Sequence, residues 1–344
     1  MKTLRRFASV LPFAALLPIS ASAHHAFAGV FDMGNLIEIE GQVTYVLWQN
    51  PHVRFSVQTD DGEIWDVETN SVSIIRRMDI SPELLNIGDT LRVAGYPSRR
   101  GDPTMWTNHV LLADGRELVL RPGFEPHWRD GALGSSEAWL AEGSDARGTP
   151  AEARGIFRVW STHFQRNFSG NEGLFTGDYP LTAEARELRD AYDPVADNPI
   201  PGCTPKGMPW IMAQPYPVEL TQAGENIEYR TEEYDLVRTF YMDEDATTDG
   251  SPSLLGHSVG RWEGDELVVE TRNISWRFFD NSGVQNSEAL ELVERFSLNE
   301  DGSRLRYTLI ATDPVTFTEP VVLDKEWLWR PGEIVHPFQC VSGD

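Results

Sequence analysis

Apolar and polar residues alternate in run after run along this chain, with turn residues such as Gly, Asp, Asn or Pro between the runs. A period of two buries one face of an extended strand and cannot build an amphipathic helix. From Ile37 to Leu112, the first such run sets Ile37, Ile39, Val43, Tyr45 and Leu47 on one face and Glu38, Glu40, Gln42 and Thr44 on the other. A second run alternates Val53, Phe55 and Val57 with Arg54, Ser56 and Gln58. The turn Asp60-Asp61-Gly62 leads to a third, with Trp65 and Val67 set against Asp66 and Glu68. Ser71 to Met78 reads as a short helix, and Ser81-Pro82-Glu83 starts one more helical turn. Strands around Leu91 to Tyr96 and Met105 to Leu112 close the unit. Three strands, a helix and two strands is the order of an OB-fold, a five-stranded barrel whose ligands meet strands two and three and the adjoining loops. Those loops include Trp48-Gln49-Asn50-Pro51-His52.

A weakly periodic stretch from Arg121 to Gly155, rich in Gly, Ala, Ser, Glu and Arg, reads as a linker separating residues 24–120 from residues 155–344. The second domain is again mainly β. After a strand within Gly155 to Phe164, Thr182 starts a helix with a stripe of Leu181, Ala185, Leu188 and Tyr192. Pro194 to Pro217 holds seven prolines and is expected to cross the surface in extended form. Further strands are expected at Ile227–Thr231, Tyr234–Met242, His257–Trp262, Glu266–Thr271, Ala289–Leu298, Arg304–Thr312 and Phe317–Trp329. Seven or eight strands joined in sequence order fit an up-and-down antiparallel barrel of the lipocalin kind, with room for one small apolar ligand. A two-sheet sandwich satisfies the same pattern.

Lys2, Arg5 and Arg6, an uncharged apolar run from Phe7 to Ile19 and Ala21-Ser22-Ala23 form the layout of a cleavable secretory signal over residues 1–23. The run is too short to span a bilayer, and no later stretch has the roughly 18 apolar residues required, so a periplasmic address without a transmembrane segment is expected. The net charge of −24 argues against nucleic acid and anionic lipid as partners. The two cysteines, Cys203 and Cys340, are expected to bridge in an oxidising compartment.

Cleavage after Ala23 would leave His24-His25 at a free N-terminus. An N-terminal histidine offers its α-amine and its ring to one metal, and a third nitrogen from His25 or His52 completes a set suited to copper. The alternative is that His24 and His25 are merely solvated and that His52 is a loop residue bonded to backbone. Trp48 could stack on a planar ligand or pack as core, and His109 is a further candidate nitrogen. In the second domain Glu294 shares strand parity with Leu290, Leu292 and Phe296, so it faces inward and requires a partner. Arg261 and Arg238 are the candidates, either as a structural lock or as a ligand-binding pair. No nucleophile elbow, phosphate loop, dinucleotide fingerprint or zincin motif is present.

These residues carry a resemblance. His24-His25, Phe27, Phe31-Asp32 and Asn50-Pro51-His52 resemble a family of exported bacterial proteins of unknown function, over about the first third of the chain. The remainder looks like a second uncharacterised exported module. That likeness rests on Cys203 to Met208, Gly260-Arg261-Trp262-Glu263-Gly264-Asp265, Glu294-Arg295-Phe296, Asp313-Pro314 and the late cysteine. Members of the latter often continue past that cysteine with a His-Glu-Gly type sequence, whereas Cys340 is followed here by Val341-Ser342-Gly343-Asp344. The resemblance implies export and a division into two modules, and it brings no catalytic residue. The expectation is therefore a periplasmic protein binding copper and a small apolar molecule. A secreted copper oxidoreductase, lyase or hydrolase working through Glu294 and Arg261 is the alternative, and a structural envelope protein a third.

Overall fold

A computed structural model describes residues 30–134, 155–162, 174–175, 177–193, 196–197, 200, 203–243, 251–330 and 332–341. The expected signal segment, His24 and His25 lie outside the described residues.

Strands β1 (Ile37–Leu47), β2 (Arg54–Thr59), β3 (Ile64–Glu68), β4 (Thr90–Pro97) and β5 (Thr104–Leu112) make the first barrel. β1 pairs antiparallel with β2 and β4, β2 with β3, and β4 with β5. A parallel pairing of β3 with β5 closes the ring. Helix α1 (Val72–Arg77) lies between β3 and β4, so the connectivity is that of an OB-fold. Ser71 caps the helix by accepting a hydrogen bond from Ile74 N at 3.2 Å. Val53, Phe55, Val57, Val67, Ile75, Val93 and Met105 are fully buried at its centre.

One expected face is corrected. A register shift between Val43 and Tyr45 inserts a bulge in β1, and a one-residue slip sends every later side chain to the opposite face. Tyr45 is consequently 48% exposed, while Val46 packs against the core. Gly41 permits the tight curvature here, because a Cβ at that position would stand 2.2 Å from the Gln58 carbonyl oxygen.

A short strand β6 (Glu117–Val119) adds to β5. The start of the expected linker folds back on it: Val119 N donates to Leu133 O at 2.8 Å and Leu133 N to Glu117 O at 2.9 Å. Residues 121–134 thus form a strap on the first barrel.

The second barrel closes with nine strands in sequence order: β7 (Val159–Thr162), β8 (Val218–Ala223), β9 (Asn226–Thr231), β10 (Val237–Tyr241), β11 (His257–Glu263), β12 (Glu266–Arg272), β13 (Glu291–Leu298), β14 (Arg304–Thr312) and β15 (Val321–Trp329). Neighbours are antiparallel except β10 and β11, which pair in parallel at Phe240 with Ser258 and Tyr241 with Val259. A closed ring excludes the sandwich, and β8 is the strand that the proline-rich surroundings hid. Helix α2 (Ala183–Asp190) follows its Thr182 cap, with Leu181 and Ala185 buried, but Leu188 is 44% exposed and leaves the expected stripe.

The proline-rich segment is not a surface crossing throughout. Trp210–Ala213 forms a 3-10 helix in which Ile211 and Met212 are fully buried. Prolines forbid a regular helix or central strand but allow a single tight turn, and the apolar run Trp210-Ile211-Met212 drives it inward. It enters the barrel, where Lys325 Nζ donates to Met212 O at 2.9 Å and Gln214 O at 3.0 Å. Trp160, Tyr229, Phe240, Phe296, Tyr307 and Trp327 fill the interior, each at most 1% exposed. These rings pack at centroid distances such as 5.0 Å for Phe296 and Tyr307 and 5.3 Å for Tyr307 and Trp327.

The Cys203–Cys340 bridge forms, and it fastens a C-terminal tail that runs between the two barrels. His336 N donates to Glu232 and Phe338 N to Asp235, both at 3.0 Å, while the Phe338 side chain inserts among the first barrel's core residues. No helix among the described residues is long and apolar enough to cross a membrane.

Candidate functional site

The β1 to β2 ladder ends at Leu47 and Arg54, leaving residues 48–53 as a loop. Its far side is pinned where Val53 N donates to Asn70 O and Thr69 N to Val53 O, both at 3.0 Å. This places His52 at the end of β2 and β3 with its side chain 40% exposed. Nδ1 of His52 is hydrogen-bonded to the Glu68 carboxylate. Glu68 is held in turn by Arg54 Nη2 at 3.1 Å, its cross-strand partner. Burial pushes the Glu68 carboxyl up, but His52 and Arg54 outweigh it and leave the group below the usual carboxylate range. Trp106 meets the imidazole edge-on at 5.1 Å between centroids, and Phe31 packs on Trp106 at 6.3 Å.

With Nδ1 occupied, Nε2 is the nitrogen left to bind, and no described residue hydrogen-bonds to it. A carboxylate that fixes the ring and tautomer of an imidazole through one nitrogen, leaving the other for a ligand or proton, is the arrangement that supports metal-binding or general-base histidines. Of the partners around His52, the motif reading missed Glu68, Arg54 and Trp106. The signal existed for two of them, since strand parity sets Arg54 and Glu68 on the outer face beside the loop.

Other expected site residues fall elsewhere. Trp48 is half-buried and packs against the first core, lining a void of about 10 Å³ with Phe55, Ile75 and Leu120 among others. His109 is buried beside Glu117, 3.3 Å from Nδ1, with the His127 ring 5.6 Å away. Burial lowers the His109 pKa more than Glu117 raises it. Glu117 itself accepts from the backbone N–H groups of His127, Trp128 and Arg129 at 2.6 to 2.9 Å, so it anchors the strap. Among the described residues no group of three or more His, Cys, Asp or Glu side chains is placed to hold a metal.

Glu294 faces inward as expected, and of the two candidate arginines it is Arg238 that pairs with it, at 2.6 and 3.0 Å. Tyr307 OH and Thr271 Oγ1 complete its coordination at 2.9 and 3.1 Å. Arg261 lies on the outer wall, paired with Glu263 and Glu270. The pairing of Glu294 with Arg261 is therefore corrected: alternate residues of a strand face opposite sides, and these two are divided by the sheet. Trp48 thus lies in the first barrel, Glu294 inside the second and Arg261 on the second barrel's outer wall.

The fold and the His52 loop define a protein of two closed β-barrels, the first an OB-fold with a carboxylate-oriented histidine in the loop between β1 and β2. Over residues 14–106 the chain matches a family described as "Family of unknown function (DUF6152)". That span contains His24, His25 and the whole Asn50-Pro51-His52 loop. No curated protein matches the chain.

Proposed function

We propose that this chain is an exported protein whose first barrel binds copper through the N-terminal His24, with His52 as a loop ligand and His25 as a further nitrogen. The observation that carries this reading is the His52–Glu68 pair, which occupies Nδ1 of a partly exposed imidazole and leaves Nε2 as the nitrogen for a ligand. Reach supports it. The centroid distances through Trp106 cap the separation of the Phe31 and His52 rings at about 11 Å. Phe31 lies seven positions after His24, and an extended chain covers roughly 3.3 to 3.6 Å per residue, so the chain is long enough for the N-terminus to return to His52. An α-amine with an ordinary pKa of about 8 loses its proton to a metal at little cost near neutrality.

The test begins with intact mass, to establish that His24 is residue one of the mature protein. Copper(II) titration followed by visible absorption is then expected to show one tight site. Affinity should fall about tenfold or more in His52→Ala and further in His24→Ala. Equal, weak binding by all three proteins would sink the proposal.

A further inference from the structure

The loop bearing His52 is held on one side by a part of the chain that belongs to neither of its own strands. Asn50 is 3% exposed, although it lies two residues from the half-exposed His52. Its side-chain Nδ2 donates to Phe338 O, its carbonyl accepts from Val341 N at 2.9 Å, and it pairs in parallel with Cys340. Those partners are the C-terminal tail. Phe338, 1% exposed, sits against Tyr216 and Tyr234 at centroid distances of 5.6 and 5.0 Å. Both rings come from the second barrel's part of the chain, and Cys340 is bonded to Cys203 in the same part. The loop's other anchor, Val53 with Asn70 and Thr69, is internal to the first barrel. The turn between Asn50 and Val53 is therefore gripped by one domain at each end.

We infer that the disulfide-closed tail, through Phe338, Cys340 and Asn50, is a positioning element for His52, so that the second barrel sets the geometry of the first barrel's imidazole site. Imidazole orientation needs both ends of a short loop fixed. Glu68 can hold Nδ1 only if the backbone at residues 50–52 delivers the ring to it, and a shift of about 1 Å in a supporting shell is enough to degrade a site. Buried Asn50 has no other purpose in view. Its side-chain nitrogen and its backbone carbonyl are spent on the tail, while Oδ1 is buried without a hydrogen-bond partner among the described residues, and its position beside Pro51 couples the tail to His52.

The experiment compares the full-length mature protein with Cys203→Ser/Cys340→Ser and with Asn50→Ala, which keeps the disulfide. Long-range 1H–15N spectra report the tautomer and hydrogen bonding of the His52 ring without any metal. Circular dichroism confirms that the barrels persist. Both variants are expected to shift the His52 nitrogen resonances away from the Nδ1-bonded tautomer. Copper(II) affinity should fall about tenfold alongside, an arm that rests on the copper reading above. If the nitrogen resonances move but no variant or wild-type protein holds copper, the copper reading fails and the positioning role stands. Resonances of His52 that are unchanged in both folded variants would overturn the inference, whatever happens to copper. Should the double variant fail to fold, Asn50→Ala alone decides it.

Discussion

Glu294 and Arg261 show how much a residue's face decides. Glu294 has no exposed surface, and both its oxygens are taken up by Arg238, Tyr307 and Thr271. Removing one partner of such a pair strands the other charge in the interior. Glu294→Gln is therefore expected to lower stability by about 3 to 5 kcal/mol in urea unfolding. Arg261 pairs with Glu263 and Glu270 where water screens the interaction, so Arg261→Ala should leave the urea midpoint nearly unchanged. A Glu294→Gln protein as stable as wild type would show that the network is not the lock its geometry describes.

At the level of elements, the 3-10 turn Trp210–Ala213 is held inside the second barrel by Lys325, the one inward-facing cation of β15. Burial pushes the Lys325 amine down to about 7; Glu233 pulls it up, and Lys206 adds to the lowering. A neutral amine has two N–H groups, and two carbonyls receive them. The unfolded chain holds this proton up to its ordinary pKa of 10.5, whereas the folded chain releases it near 7. Between those values the unfolded state binds more protons. Stability should rise with pH across that window, by up to about 1.4 kcal/mol per pH unit, and the penalty is fully present below it. Denaturation curves at pH 7, 8 and 9 are expected to show that rise in wild type and its loss in Lys325→Met. A slope that survives the substitution would assign it to other groups.

On the scale of the whole molecule, the Cys203–Cys340 bridge encloses 137 residues of separation. Loop-closure entropy for a ring of that size gives about 4 to 5 kcal/mol of stabilisation. Cys203→Ser/Cys340→Ser should lose an amount of that order in guanidinium unfolding. The two barrels are also joined directly: Arg77 at the end of α1 donates to Pro215 O at 3.2 Å and pairs with Glu333 at 3.5 Å. Loss of the bridge leaves these direct contacts in place, so the barrels are expected to stay folded and to melt together at a lower temperature, as one shifted calorimetric transition. A single unshifted transition would contradict this.

Local chemistry was sufficient for much of this. Alternation along the strands, the Ser71 and Thr182 caps and the pair of cysteines are short-range or compositional signals, and they specified two β modules, the OB order and the bridge. What alternation cannot register is a bulge, because one inserted residue reverses the face of everything beyond it. Alternation alone therefore places Tyr45 on the wrong side. Nor can it reveal a partner brought in from far along the chain. Asn50 with Phe338, Glu294 with Arg238 and Lys325 with Met212 are contacts between residues 56 to 288 positions apart. Their pairing depends on which strands close which ring. His52 was visible as a candidate from its loop, but its orientation by Glu68 and the grip of the C-terminal tail exist only once both barrels have closed and the chain end has packed between them.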